Sequence, residues 1–403
     1  QSAFVTGLRD ANVSREFSLM KYPYPTWKNV ILIVGILLVS INLRPSITAV
    51  GALAERIHLS GLSLQEIGAL TTVPLILFGL IGVGAGWVGG RIGFARALGV
   101  GLLLLAAGCW IRSIDVAQSG VWRIGGTVLI GAGIALGNVL LPGVVKSRFP
   151  RHVGPLTSLY STALNLGAAL GVAFAVPLAD ALSGGWPASL STWGWVAILT
   201  LLIWSPQMRS APTRRPPVHP LAGIRSLVKQ RRAWGISAHM GLQSMVFYSS
   251  ISWLPSVLQS RGMEESAAAQ WVTAMQILGC VSSLVIPTLA GRRASQSGWI
   301  FGCGITSAVS LVAILILPSG WIGLPVLTLG LGLNASFGLC LLIIVLRSED
   351  SDTTAHLSSM AQGIGYLLAA PGPWLIGVIS GATGGWNLAI ATLWLAAATA
   401  LFL

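Results

Sequence analysis

The sequence predicts an all-α, polytopic membrane protein in which twelve transmembrane helices form two six-helix halves. Three observations lead to this fold class: charge is scarce, long apolar runs alternate with short polar loops, and the two halves repeat. Only 9 % of the 403 residues are charged and 54 % are hydrophobic, whereas about a quarter of a soluble protein is charged. Apolar runs of about 20 residues fit helices that cross a hydrocarbon core ~30 Å thick.

The apolar runs give the expected spans and the domain boundaries. The spans cover residues 29–50, 65–88, 95–113, 121–145, 155–179, 188–205, 235–258, 267–289, 297–317, 321–346, 354–378 and 384–403. Residues 1–28 form a polar N-terminal tail, and residues 206–234 form a linker rich in proline and arginine. This linker separates an N-terminal bundle, residues 29–205, from a C-terminal bundle, residues 235–403.

The distribution of positive charge sets the expected orientation. Nineteen of the 24 Lys and Arg residues fall in the tail, the linker and alternate loops on one side. Four others, Arg56, Arg112, Arg123 and Arg261, fall on the opposite side. Because basic loops stay in the cytoplasm, both termini and the linker are expected there. The net charge of +13 therefore reports topology, and a nucleic-acid partner is not expected.

The two halves repeat at an offset of 201 residues. Gly90-Arg91 corresponds to Gly291-Arg292, and Lys146-Ser147 corresponds to Arg347-Ser348. A fixed offset across loops and helices indicates duplication of a six-helix unit. Two parallel units predict a substrate site near the middle of the membrane, between halves that rock to alternate access.

Arg44 is the most informative residue of the first span, because it is a permanent charge in a run of Ile, Leu and Val. Such a charge costs ~2.5–3.5 kcal/mol at the centre of a span, so it is expected to face a cavity. Pro45 follows it and predicts a kink, since proline cannot donate the helical hydrogen bond to Ile41. The alternatives are that Arg44 reaches the membrane surface or pairs with Glu55. Its counterpart in the second half is Met245.

Several other spans carry polar or aromatic side chains that are expected to line the same cavity. The predicted substrate-binding residues are Arg44, Asn42, Thr48, Asn138, Tyr160, Asn165, Gln243, Tyr248, Trp253, Gln362 and Tyr366. Amides, hydroxyls and a single arginine suit a small polar or anionic ligand. For each neutral residue the alternative is a hydrogen bond between helices, worth about 0.6 kcal/mol.

His239, one turn inside the seventh span, is the candidate for proton coupling, and a satisfied interface histidine is the alternative. All eleven carboxylates fall in tails, loops or span ends, which disfavours export of organic cations. Neither a nucleophile–base pair nor a metal-ligand pattern is present, and the four cysteines form no CxxC motif. The chain is therefore not expected to be an enzyme or to hold a cofactor.

Four separated motifs occur in order along the chain: NLRPSIT, GNVLLPGVVKSRFP, MGLQSMVFYSSISWLP and MAQGIGYLLAAPGP. Together they resemble the motifs of the cyanate permease and 2-nitroimidazole transporter family, part of the major facilitator superfamily. The loop GGRIGFAR resembles the superfamily's loop between spans two and three but lacks its usual Asp. The resemblance implies the major facilitator fold and a transporter in the bacterial cytoplasmic (inner) membrane.

Two functions follow from these residues. The first is secondary active or facilitative transport of a small anionic or polar solute, cyanate-like or nitroimidazole-like, with Arg44 as the electrostatic anchor. The alternative is export of small aromatic or drug-like compounds through an apolar pocket of Met245, Phe247 and Trp253. In either case we expect a monomer in the lipid bilayer.

Overall fold

A computed structural model describes residues 27–114, 120–149, 153–209, 227–347 and 351–402, and over these ranges the chain is helical. The first half contains α1 (Trp27–Asn42), α2 (Pro45–Ala52), α3 (Ala54–Leu59), α4 (Leu64–Ile92), α5 (Phe94–Arg112), α6 (Gly120–Arg148), α7 (Val153–Ala181) and α8 (Gly185–Met208). The second half contains α9 (Arg231–Ser260), α10 (Glu265–Ala290), α11 (Ser297–Ile316), α12 (Gly323–Leu346), α13 (Ser351–Ala369), α14 (Pro371–Thr383) and α15 (Asn387–Thr399). The expected tail and most of the expected linker lie outside the described ranges.

These helices correspond to the twelve expected spans and confirm the predicted fold class. Ten segments within the described ranges are long and apolar enough to cross a membrane. The two other spans are α9, which is 30 residues long but interrupted by polar side chains, and α15, which has 13 residues. Large apolar side chains such as Leu80 and Leu199 are 59 % exposed on the outside of the bundle, where lipid would surround them.

The first span is broken at Arg44, as the proline predicts. Helix α1 ends at Asn42 and α2 begins at Pro45, because proline fits the first position of a helix but not its interior. The eleventh span is broken as well, since α13 ends at Ala369 and α14 begins at Pro371.

The halves meet through α7 against α10 and through α4 against α13 and α14. Close approach within the first half depends on glycine. A Cβ on Gly171 would lie 2.7 Å from the Cα of Pro45, and one on Gly167 would collide with the carbonyl of Ile41. Helix α7 therefore packs directly against the broken part of the first span, which fixes the place from which Arg44 extends.

Arg112, which lies at the end of the third expected span, is buried. It is only 1 % exposed. The guanidinium turns into the first half, where Nη1 donates a hydrogen bond of 2.8 Å to the carbonyl oxygen of Ser46.

Candidate substrate site

A small cavity lies between the two halves, and Arg44 lines it. The first half contributes Arg44, between α1 and α2, and Asn165 of α7. The second half contributes Gln243, Ser244, Phe247 and Tyr248 of α9, Asn334 and Phe337 of α12, and Tyr366 of α13. Five of the predicted binding residues therefore meet here: Arg44, Asn165, Gln243, Tyr248 and Tyr366.

The guanidinium of Arg44 is surrounded by aromatic rings of the opposite half. Its Cζ lies 5.2 Å from the ring centre of Tyr248, 5.4 Å from that of Phe247 and 5.8 Å from that of Phe337. The side chain is 3 % exposed, and a cation over a desolvated ring gains about 2 kcal/mol. The rings therefore offset part of the cost of burying this charge.

No carboxylate pairs with Arg44 among the residues that the structure describes. Its Nε–H is buried and has no hydrogen-bond partner in these ranges. Glu55, the alternative partner, lines a separate cleft near the end of the first span. Neither alternative for Arg44, the membrane surface or an ion pair with Glu55, occurs in this structure.

Some polar groups near Arg44 can accept or donate further hydrogen bonds. The Nε2 of Gln243 donates to the Oγ of Ser244 at 2.7 Å, and the Oε1 of Gln243 is buried without a partner in the part of the chain that the structure describes. Asn165 donates to the Oγ of Ser283 at 3.1 Å, and Asn334 donates to its own helix, at the carbonyl of Gly330. An unpaired acceptor beside an unpaired cation can bind a ligand that offers both an acceptor and a donor.

Asn42 and Thr48 flank the break and hold it in place instead of lining the cavity. The Nδ2 of Asn42 donates to the Oγ1 of Thr200 in α8 at 2.7 Å. The Oγ1 of Thr48 donates to the carbonyl of Ala168 in α7 at 3.0 Å. These are the helix–helix hydrogen bonds that the alternative interpretation describes, and they immobilise the segment that presents Arg44.

Four more predicted residues lie outside the lining. Trp253 donates from Nε1 to the carbonyl of Pro373 at 2.7 Å. Gln362 donates to the Oγ of Ser358 at 2.9 Å. Tyr160 is buried, and the Nδ2 of Asn138 is buried without a partner among the described residues.

The apolar pocket of the export hypothesis does not form. Phe247 lines the cavity at Arg44, whereas Trp253 lines a different, apolar cavity between α9, α11, α14 and α15. Met245 faces Gly372 of α14.

His239 has a partner for each ring nitrogen. Its Nδ1 is 3.1 Å from the carbonyl of Ala400 and its Nε2 is 3.2 Å from the Oγ of Ser336. Because a carbonyl only accepts, Nδ1 donates to Ala400, whereas the Ser336 hydroxyl can either donate to Nε2 or accept from it. Both ring nitrogens of this histidine therefore have partners within the second half.

Phe337 is a residue of the site that the sequence interpretation missed. An isolated phenylalanine in an apolar span predicts a core or lipid-facing position. A signal was nevertheless present, because Phe337 follows Asn334 by three residues, and this spacing places both side chains on one helix face.

The cavity at Arg44 is almost filled by the side chains that line it. Its volume is about 10 Å³, close to the least that holds one water molecule. Any solute larger than water must therefore separate the walls in order to enter. Among the described residues, no group of three or more His, Cys, Asp or Glu side chains could hold a metal ion.

A second feature joins the halves near the end of the first span. Arg56 of α3 binds Glu265, the first residue of α10, through Nε and Nη2 at 2.6–2.8 Å. Its Nη1 binds Asp180 of α7 at 2.6 Å. We call these three residues the Arg56 cluster. A cleft of about 860 Å³ lies beside it, between α3–α4 and the ends of α9, α14 and α15.

Comparison with known proteins gives a family and a fold. Residues 32–373 match the Major Facilitator Superfamily. The chain is 38 % identical over 361 residues to the 2-nitroimidazole transporter of Escherichia coli (strain K12), covering 89 % of this chain and 90 % of that protein. It is 27 % identical over 359 residues to the cyanate transport protein CynX of the same organism, covering 88 % and 91 %. A solved structure of the xylose transporter XylE from E. coli, partially occluded and inward open, superposes with a TM-score of 0.70 at 14 % identity, covering 93 % and 96 %, which shows a shared fold.

Proposed function

The chain belongs to the Major Facilitator Superfamily, and from this premise we propose that its cargo is a small, planar, anionic or polar solute that binds at Arg44. Members of this superfamily are membrane transporters, so the chain is a multi-pass transporter and not an enzyme. Alternating access between its two halves fits the fold. The named relatives carry 2-nitroimidazole and cyanate, and we propose a solute of that class here.

One observation carries the proposal: a buried arginine lines the cavity between the halves and has no anionic partner among the described residues. Bringing a cation out of water is costly, and the rings of Phe247, Tyr248 and Phe337 compensate without neutralising it. An anion would supply the missing negative charge, and a nitro group would supply two partially negative oxygens. Two coplanar oxygens would also match the fork of the guanidinium.

The neighbouring groups fit a flat ligand. The rings of Tyr248 and Tyr366 lie 6.3 Å apart, and Phe78 of the first half packs edge-on against Tyr366 at 5.3 Å. Flat aromatic faces contact a planar heterocycle or a short linear anion over much of its surface. The unpaired Oε1 of Gln243 would accept a hydrogen bond from a ring N–H.

Orientation and assembly form part of the proposal. The chain would reside in a bacterial cytoplasmic membrane as a monomer surrounded by lipid, with both termini and the 206–234 linker in the cytoplasm. The Arg56 cluster and its cleft would then face the outside. The linker would connect an N-terminal bundle, residues 29–205, to a C-terminal bundle, residues 235–403, which rock against each other.

His239 remains our candidate for coupling to protons. Protonation would make Nε2 a donor, so the Ser336 hydroxyl would have to turn, and Ser336 directly precedes Phe337 beneath Arg44. Uptake driven by an imposed pH gradient in wild type and absent in His239→Gln would support coupling. Unchanged gradient dependence in the variant would contradict it.

The binding proposal is tested with purified protein and proteoliposomes. We expect cyanate or 2-nitroimidazole to raise the melting temperature of wild type, and Arg44→Ala to reduce that rise strongly, together with uptake and affinity. Arg44→Lys should also be impaired, because lysine keeps the charge but loses the fork. Arg292→Ala, which removes an exposed cation, serves as the control. If Arg44→Ala transports these solutes as well as wild type does, the anchor role is wrong.

A further inference from the structure

Arg112 is a second buried arginine, and substrate contact does not account for it. It ends α5, so its charge lies at the negative end of that helix dipole, which favours a cation. Nη1 donates to the carbonyl of Ser46, while Nε and Nη2 are buried without partners in the described part of the chain. Burying this guanidinium is costly, so we look for its role in the hydrogen bond to Ser46.

That contact is to the segment that presents Arg44. Ser46 lies two residues after Arg44, in α2, a helix of only eight residues between breaks at Arg44 and Leu53. So short a helix has little stability of its own, and its neighbours therefore set its position. Thr200 of α8, the Ala168 carbonyl of α7 and Arg112 of α5 hold the region from three sides. Arg112 is the charged member of this set, and charge-assisted hydrogen bonds are the stronger ones.

The backbone of Arg112 is also well placed for this role. A Cβ on Gly126 of α6 would lie 2.7 Å from the Cα of Arg112, and one on Gly108 would lie 2.6 Å from the carbonyl oxygen of Gly126. Helices α5 and α6 thus touch through glycine with no side chain between them. The base of Arg112 is fixed by this packing, and its side chain transmits that position to α2.

We propose that Arg112 is a positioning residue for substrate binding: by holding the Ser46 carbonyl, it fixes α2 and so places the Arg44 guanidinium against the rings of the second half. This inference rests on the proposed function, in which Arg44 binds the substrate. It assigns Arg112 no contact with the substrate.

Two variants and a matched control test it. Arg112→Met removes the donor, and Arg112→Lys restores one charged donor of nearly the same reach. Arg261→Met is the control, because Arg261 also donates to backbone carbonyls, those of Ile314 and Leu315, but lies in the second half away from α2. Each full-length protein is compared by hydrogen exchange of residues 43–53 and by the dissociation constant for 2-nitroimidazole.

We expect Arg112→Met to speed exchange at least fivefold in residues 43–53, where Ile47 and Thr48 donate to the Arg44 carbonyl, and to leave the other helices unchanged. It should weaken 2-nitroimidazole binding about tenfold, with Arg112→Lys within about threefold of wild type. Arg261→Met should change neither quantity. A purely structural role would lower stability and speed exchange throughout without this local pattern.

The double variant Arg44→Ala/Arg112→Met separates the possible failures. If Arg112 acts through Arg44, the double variant binds no more weakly than Arg44→Ala alone. Additive losses, or local exchange equal to wild type in Arg112→Met, would overturn the inference. If Arg44→Ala itself binds as wild type does, the proposed function fails instead, and the exchange data still report whether Arg112 holds α2.

Discussion

Glu265→Gln should shift the protein towards a conformation in which the two halves separate near the Arg56 cluster. The Arg56 guanidinium contacts Glu265 through two of its nitrogens and Asp180 through the third. Of these two carboxylates, only Glu265 lies in the second half. Hydrogen bonds to Glu265, and secondarily to Asp180, raise the pKa of Arg56, so the arginine stays charged. The substitution therefore removes the attraction between the halves at this end while keeping the size of the side chain.

The magnitude follows from geometry and exposure. The side chains of Arg56 and Glu265 are 30 % and 22 % exposed, whereas that of Asp180 is 60 % exposed. Exposed ion pairs contribute about 0–1 kcal/mol, and charge-assisted, two-point pairs contribute more. For a partly exposed two-point pair we take ~1–2 kcal/mol, which corresponds to a roughly 5–30-fold shift between closed and open populations.

Cysteine labelling measures this shift. Ser244, which lines the cavity at Arg44, is replaced by cysteine in a background whose four native cysteines are replaced by serine. A membrane-impermeant maleimide is then added from the side of the Arg56 cluster. Glu265→Gln should raise the labelling rate about 5–30-fold. Asp180→Asn breaks a contact within the first half and should change the rate by less than about twofold. Equal rates in the two variants, or no change in Glu265→Gln, would refute the reasoning.

Three further outcomes are expected. Phe337→Leu should weaken 2-nitroimidazole binding about 3–10-fold in an equilibrium assay, because the ring face near Arg44 is lost while an apolar side chain remains; unchanged affinity would exclude a ring contribution. Gly171→Ala should lower the free energy of unfolding by about 1–3 kcal/mol, since its Cβ would press on Pro45. Gly302→Ala, whose Cβ would meet nothing within 4 Å, should stay within about 0.5 kcal/mol of wild type, and equal losses in both would argue against the contact. Trp253→Phe should lower the free energy of unfolding by about 1 kcal/mol, because it removes the buried hydrogen bond from Trp253 to the Pro373 carbonyl. A denaturant midpoint equal to that of wild type would contradict this.

Local rules predicted the features that are set within a few neighbouring residues. The helices follow from apolar runs of membrane length, and the break at Arg44 follows from the missing N–H of Pro45. The cavity position of Arg44 also follows locally, because a charge in an apolar run has few acceptable surroundings.

Features set by distant residues were harder to predict. Arg56 binds carboxylates 124 and 209 residues away, and its sequence neighbours carry no sign of these partners. The burial of Arg112 could not be predicted locally, because a charge at the end of a span is compatible with a loop as well as with an inward turn. Asn42 and Thr48 lie on the expected polar face, but that face also meets α8 and α7. Periodicity identifies a face without saying which neighbour it meets.

The division of the cavity between the two halves has a consequence for the transport cycle. The cation belongs to the first half, and the three rings around it belong to the second. In this conformation the rings partly replace the water that Arg44 gives up, and we expect them to let the halves close without cargo. We therefore expect net uptake into proteoliposomes that contain no substrate, and strict one-for-one exchange would contradict this expectation.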